Sequence, residues 1–290
     1  MNELVVQSGE RGKIKQQAQP LFFLMSVYLC PFNNAEKMND RPLILVTNDD
    51  GIYAKGLKEL TEVMRLFGEV VVIAPEAAMS GMSNAITTGK PLRASKVEEE
   101  EGYILYKCSG TPVDCVKMGF NQLLDRHPDF VVSGINHGTN SSISVVYSGT
   151  MGAAIEGCLH GVPSIGFSLC DYDADADFTR AKMWVARIFQ SVAQNGLPHF
   201  TCLNVNIPKG EVRGVELCRQ TSGKWVEELE KRTDPHQRDY YWLSGYFKNF
   251  EPEVAGTDMH ALENQYVSVV PVSVDMTCHQ TLEQMKSWRF

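Results

Sequence analysis

Runs of apolar residues with no polar alternation constrain this chain more than any other feature. "LILVT" (43–47), "EVVVIA" (69–74), "DFVVSG" (129–134), "VPSIGFSL" (162–169) and "FTCLNVNIP" (200–208) each have the length of a strand. A strand with one wet face alternates apolar and polar residues. A strand without alternation is buried on both faces, as in a parallel sheet covered by helices on each side. The intervening segments supply those helices. Leu57, Leu60, Val63, Met64 and Phe67 recur at helical spacing. Val113, Val116, Phe120, Leu123 and Leu124 do the same, with Pro112 suited to a first turn. "GTMGAAIEGCLHG" (149–161) is a helix of small residues suited to close packing, and Trp184, Val185, Ile188, Phe189 and Val192 mark another. Strand, helix and strand over 43–74 form a βαβ unit whose crossover should be right-handed. The expected fold class is α/β, a Rossmann-like, doubly wound, mostly parallel sheet.

The pattern loosens elsewhere. Residues 85–108 are polar, with "EEEE" (98–101) read as a solvated loop or hairpin tip before the strand "YILYKC" (103–108). After residue 230 come the aromatic and polar "TDPHQRDYYWLSGYF" (233–247) and a late strand, "YVSVVPVSV" (266–274). We therefore expect a single domain over 42–290, with a core to about 230 and a β-rich C-terminal extension or oligomerisation arm over about 231–290. Within that arm, His236, Arg238, Tyr240 and Trp242 suit either a cover over substrate or an oligomer contact. Residues 1–41 stand apart as an N-terminal extension. Their apolar run "LFFLMSVYLC" (21–30) is too short to span a membrane. With Arg11, Lys13 and Lys15 before it, it reads either as a signal segment or anchor, or as sequence upstream of a true start at Met38; we favour the second.

A net charge of −8 and a pI near 5.4 exclude a broad footprint for nucleic-acid backbone. The eight cysteines form no C-x-x-C and no zinc-ligand spacing with histidine, which points to reduced, buried thiols in a cytoplasmic protein.

In open α/β sheets, ligands bind beyond the carboxyl ends of the strands. After the first strand come Asn48, Asp49, Asp50 and Gly51; after the second, Ser80, Gly81, Ser83 and Asn84; after the third, Ser133, Gly134, Asn136, Gly138 and Asn140. These are hard oxygen donors, with no thiolate among them, and they suit Mg²⁺, Mn²⁺ or Ca²⁺ better than zinc or copper. A divalent cation makes adjacent aspartates favourable where they otherwise repel. "SGTMGAA" (148–154) opens a helix. Ser148 has the chemistry of an N-cap, and the N–H groups at Gly149 and Thr150 equally suit a phosphate.

Taken together, "ILVTNDDGI" (44–52), "VVIAPEAAMSGMSNAIT" (71–87), "CSGTPVDCVKMG" (108–119), "PDFVVSGINHGTN" (128–140), "VYSGTMGAAIEG" (146–157), "DPHQRDYYW" (234–242) and "GTDMHALENQYVSVVPVSVDMT" (256–277) resemble the survival protein SurE family. The resemblance implies a metal-dependent 5′-nucleotidase that hydrolyses nucleoside 5′- and 3′-monophosphates, with one Mg²⁺ or Mn²⁺ per subunit. It implies Asp49, Asp50, Ser80 and Asn136 as metal ligands, with Asn140 beside them. It also implies a homodimer or homotetramer. Three departures stand out: "PEAAMSG" (75–81) lacks the basic residues usual before the serine, Thr139 replaces a proline, and the first forty residues have no counterpart.

The expected mechanism is attack on phosphorus by a metal-activated water. Asp49, Asp50 and Asn140 are then the catalytic residues, and Asn48, Gly81, Ser148, Gly149 and Thr150 contact phosphate or substrate. Two other classes compete. A covalent aspartyl-phosphate enzyme needs a lysine at a later strand end, and none follows "FVVS" or "SIGFSL". A non-catalytic nucleotide-binding protein is the other, although no G-x-G-x-x-G follows the first strand and no P-loop occurs.

Overall fold

A computed structural model describes residues 41–289 of the chain. Its strands are β1 (Leu43–Thr47), β2 (Glu69–Pro75), β3 (Ala94–Glu100), β4 (Tyr103–Cys108), β5 (Phe130–His137), β6 (Ser164–Cys170), β7 (Thr201–Pro208), β8 (Gly214–Leu217), β9 (Gly223–Val226), β10 (Leu229–Thr233), β11 (Asp239–Leu243), β12 (Tyr246–Asn249) and β13 (Tyr266–Ser273). The helices are α1 (Lys55–Met64), α2 (Pro112–Met118), α3 (Gly149–Leu159), α4 (Thr179–Asn195), α5 (Asp258–Glu263) and α6 (His279–Met285).

The apolar runs lie side by side in a nine-stranded sheet of order β3-β4-β2-β1-β5-β6-β7-β13-β8. From β4 to β7 every pairing is parallel, while β3 pairs antiparallel with β4 and β13 antiparallel with β7. The chain leaves β1 in one direction to β2 and returns on its other side to β5. The β1/β5 border is therefore a topological switch point, where the crossovers diverge and leave a crevice at the strand ends.

Alternation along the strands sorts the core onto two faces. Leu43, Leu45, Val71, Ile73 and Val131 pack with Cys115, Val116 and Phe120 of the α2 segment and Ala153 of α3. On the opposite face Phe130 meets Phe189 of α4 at 5.0 Å, and Phe67, just past α1, meets the same ring at 5.0 Å. Lys182 of α4 bonds Glu59 and Glu62 of α1 at 2.7 Å each, tying that helix layer together. Gly56 in α1 has no room for a Cβ against the Ile135 carbonyl, so α1 lies directly on β5.

Two local expectations differ from the structure. The helix expected through Leu124 ends at Met118, and Gly119–Leu123 continues as a wider π turn. A Cβ on Gly119 would stand 3.0 Å from Leu45 and 3.2 Å from Ile73, so the chain lies close on the sheet at that point. Of the two readings of the acidic run, the hairpin end holds and the loop does not: Glu98–Glu100 pair with β4 as an exposed edge, and the turn falls at Glu101 and Gly102.

The C-terminal segment divides. β10 and β11 form an exposed hairpin and β9 pairs with β12, whereas β13 returns into the main sheet between β7 and β8. His236, Arg238, Tyr240 and Trp242 all sit in or beside that hairpin, exposed. The run 21–30 and Met38 lie outside the described residues.

Candidate active site

Asp49 and Asp50 follow β1 directly, at the switch point. Asp49 is 4% exposed. Its Oδ1 accepts the Thr150 hydroxyl at 2.6 Å. Asp49 thus sits under the N-terminus of α3, where the helix dipole favours a negative charge. The fit is close: a Cβ on Gly149 would lie 2.8 Å from the Asp49 Cβ and 3.0 Å from its Oδ2. Ser148 caps α3 by accepting the Met151 N–H at 3.0 Å.

Asp50 is half-buried, and its Oδ2 accepts the His137 backbone N–H at 3.1 Å. That contact joins the β1 end to the β5 end. Burial pushes the Asp49 carboxyl above its ordinary range, opposed by the Thr150 contacts and reinforced by the charge of Asp50. Burial likewise raises Asp50, opposed by His137. Burial therefore makes the ionised form of each carboxylate costly.

The loop after β2 reaches the same place. The Met79 N–H donates to the Asp49 carbonyl at 2.7 Å, which sets Ser80 and Gly81 beside that residue, both exposed. Farther along, Ser83 donates through its hydroxyl to the Val146 carbonyl at 2.6 Å and through its N–H to the Tyr147 carbonyl at 3.1 Å. Gly152 has no room for a Cβ against the Ser83 carbonyl. The β2 loop is thus seated on the start of α3. At the end of β5, Asn136 turns its amide nitrogen onto its own loop, donating to the carbonyls of Gly138 at 2.9 Å and His137 at 3.2 Å. Its carbonyl oxygen accepts no hydrogen bond among the described residues. Asn140 is buried, and its amide donates to the Ser168 hydroxyl at 2.8 Å.

Whether these residues suit a divalent cation can be judged from the donor set. Two adjacent carboxylates lie largely out of water, Asp49 beneath Thr150 and Asp50 beside His137. The buried Asn48 Oδ1 beside them has no hydrogen-bond partner among the described residues. Its amide donates to the Gly51 carbonyl at 3.0 Å. No group of three or more His, Cys, Asp or Glu among the described residues is placed to hold a metal ion, and Ser80 and Asn136 add neutral oxygens to the two carboxylates. Such a set fits Mg²⁺ or Mn²⁺. The cavity of about 380 Å³ lined by Tyr53, Leu57, Arg65, Tyr103 and Leu105 contains none of these strand-end side chains.

Two positioning contacts were not visible in the sequence. Thr150, expected at substrate, orients Asp49, and His137 holds Asp50 through its main chain. The first carries a signal, a threonine in the first turn of a helix; the second carries none, because any residue but proline offers that N–H.

Comparisons with known proteins converge. The sequence model for "Survival protein SurE" matches residues 44–227. The chain is 48% identical over 250 residues to the 5′-nucleotidase SurE of Phocaeicola vulgatus, covering 86% of this chain and 97% of that protein. It is 50% identical over 251 residues to the 5′-nucleotidase SurE of Bacteroides fragilis, covering 86% and 98%. Its fold is similar to the crystal structure of the SurE protein from Aquifex aeolicus, with a TM-score of 0.73 and 34% identity over 84% of this chain and 98% of that one.

Proposed function

This chain belongs to the survival protein SurE family, and on that footing we propose that it is a phosphomonoesterase that hydrolyses nucleoside 5′-monophosphates, and also 3′-monophosphates, with one Mg²⁺ or Mn²⁺ per subunit. The observation that carries this reading is the Asp49–Asp50 pair at the switch point, with Asp49 buried against the N-terminus of α3 and Asp50 half-buried beside it. Relatives that share about half of its residues bear the name 5′-nucleotidase.

Asp49, Asp50, Ser80 and Asn136 would hold the cation. When bound, it supplies positive charge that neutralises a phosphoryl oxygen and lowers the pKa of water. The remaining work falls to the chain. Thr150 fixes one Asp49 oxygen, and the His137 N–H fixes one Asp50 oxygen, so the carboxylates are preorganised rather than gathered at the moment of reaction. The start of α3, capped by Ser148, directs its dipole toward the carboxylates and supports a dianionic phosphate at Gly149. Asn140 orients that phosphate, with Asn48 and Gly81 at its margin. One of the two aspartates accepts the proton of the attacking water.

The family resemblance supports a homodimer or homotetramer built through the C-terminal strands. A cytoplasmic setting agrees with the cysteines, none of which forms a disulfide among the described residues. No helix among the described residues is long and apolar enough to cross a membrane.

The test is phosphate release from a panel of nucleoside 5′- and 3′-monophosphates, first in EDTA and then with Mg²⁺ or Mn²⁺ restored. Release abolished by EDTA and recovered with metal is the expected result. Nucleotide binding without release, from folded protein with metal, would replace this reading with a binding protein.

A further inference from the structure

The strand β7 reads Leu-Asn-Val-Asn-Ile over 203–207, two carboxamides at alternate positions in an otherwise apolar run. Asn204 is 2% exposed and Asn206 is 0% exposed. Burying an asparagine costs several kcal/mol unless its groups are bonded, so two on one face of a central strand require a partner.

That partner is the loop that carries Asn140. Asn206 Oδ1 accepts the Asn140 backbone N–H at 2.7 Å and the Thr139 hydroxyl at 3.1 Å. Asn206 Nδ2 donates to Asn204 Oδ1 at 3.0 Å, which fixes the orientation of the Asn206 amide. Asn204 Nδ2 in turn donates to the Asn140 carbonyl at 2.8 Å. Both main-chain polar groups of Asn140 are thus held by β7 side chains. Its side chain is held by Ser168 of β6.

The sheet register places these groups in line. Asn136 of β5 lies opposite Ser168 of β6, and Ser168 lies opposite Asn206 of β7. Beyond Asn140, Ser142 has φ 53°, an unfavourable conformation for a residue with a side chain. Its N–H is held by the buried Asp258 at 2.7 Å. The segment 139–142 is therefore over-determined from beneath and from the side, which is how a polar group in a reactive site is kept in one place.

We propose that Asn206, oriented by Asn204, is a positioning residue for the strand-end site. It sets the Asn140 backbone and, through it, the carboxamide presented to phosphate. The inference rests on the hydrolase reading above for what that carboxamide does. The Asn206 side chain bonds Thr139, Asn140 and Asn204 and none of the four residues assigned to the cation, so its removal should spare cation binding and impair turnover.

The test compares the full-length wild type with Asn206→Leu, a change that keeps the branching of the side chain and removes the three bonds that Asn206 makes to Thr139, Asn140 and Asn204. Asn204→Ala serves as a milder second variant should Asn206→Leu not fold. Phe189→Leu, in the α4 core far from the loop, controls for lost stability. Three quantities are read: kcat and KM on a nucleoside 5′-monophosphate, the Mn²⁺ dissociation constant by calorimetry without substrate, and hydrogen exchange of residues 138–142. For Asn206→Leu we expect kcat to fall about 30-fold or more, since small misplacements in a site cost roughly this much. The same variant should keep its Mn²⁺ dissociation constant within about threefold and exchange 138–142 about tenfold faster, as opening of a clamped loop implies. Asn204→Ala should show the same pattern at about a third of the size in kcat. Phe189→Leu should leave kcat and that segment's exchange within about twofold.

A folded Asn206→Leu with kcat within about threefold of wild type, or a loss matched by Phe189→Leu, overturns the proposal. Should wild type release no phosphate with any metal, the hydrolase reading fails instead. Exchange then decides the positioning role alone: faster exchange of 138–142 in the variant supports it, and unchanged exchange overturns it.

Discussion

Replacing Gly149 by alanine adds one methyl group where the first turn of α3 meets Asp49. The new Cβ would stand 2.8 Å from the Asp49 Cβ, 3.0 Å from its Oδ2 and 3.3 Å from its Cγ. Carbon atoms rest at about 3.5–4.0 Å, so either the carboxylate or the helix must give by about 0.7 Å or more. Asp49 is buried and bound to Thr150, so it has little freedom to absorb the shift. A displacement of that order costs roughly 100-fold in rate, equivalent to about 2.7 kcal/mol of lost transition-state stabilisation. The effect on stability is smaller. Overpacking costs about 1–3 kcal/mol, and exchanging glycine for alanine in a helix returns roughly 0.5–1 kcal/mol. Gly149→Ala should therefore remain folded with a net loss of about 0–2.5 kcal/mol, while its turnover nearly disappears. Initial rates at saturating nucleoside 5′-monophosphate and Mn²⁺, set beside a thermal melt of the same sample, separate the two effects. A folded variant that turns over within about threefold of wild type would refute the claim that Asp49 is held at its working position by close packing against α3.

Thr150→Val keeps the shape of the side chain and removes the hydroxyl that donates to Asp49; we expect kcat to fall about tenfold with the fold intact, as loss of an outer-shell contact does, measured by the same rates. Asp114 completes the capping box of α2 and accepts the Thr87 N–H at 3.1 Å, tying the β2 loop region to the helix. Burial works to raise its carboxyl, but the Thr87 and Thr111 contacts outweigh it, and the group is lowered from its ordinary 3.8. A lowered folded pKa contributes stability that is present above the unfolded value and is lost as pH falls through the folded one. Asp114→Ala should accordingly cost about 1–3 kcal/mol near neutral pH, and its deficit in denaturant melts should shrink as pH falls below about 4; a deficit that does not change with pH would contradict the assignment. Mn²⁺ at 100 times its dissociation constant should stabilise the chain by about 2.7 kcal/mol, a rise of roughly 5–10 °C in Tm at this size, which differential scanning calorimetry would detect.

The central sheet was legible because parallel strands buried on both faces leave an unbroken apolar run, and "LILVT" and "EVVVIA" leave little else to be. The adjacent aspartates were legible because like charges after such a run need an explanation. Other parts were hidden for physical reasons. The hydrogen bond from His137 to Asp50 is made by the main chain and depends on register, which side-chain identity does not record. Asn204 and Asn206 were read as part of a strand; their alternate spacing put both on one face, but nothing local told which loop that face would meet, 64 and 66 residues earlier. The end of α2 at Met118 depends on how closely Gly119 approaches Leu45 and Ile73, a tertiary contact overriding a helical pattern that runs on to Leu124. The exposed hairpin of β10 and β11 buries little of its own aromatic surface, so periodicity had no buried face to report.

The account stands most directly on Asp49 and Asp50 as the seat of a cation. Calorimetric titration of metal-stripped full-length protein with Mn²⁺, beside Asp49→Asn, addresses that without recourse to turnover. The prediction is one Mn²⁺ bound per chain by wild type, with binding lost in a variant that melts as a folded protein. A wild type that takes up no Mn²⁺, or an Asp49→Asn variant that binds it as tightly as wild type, would contradict the account.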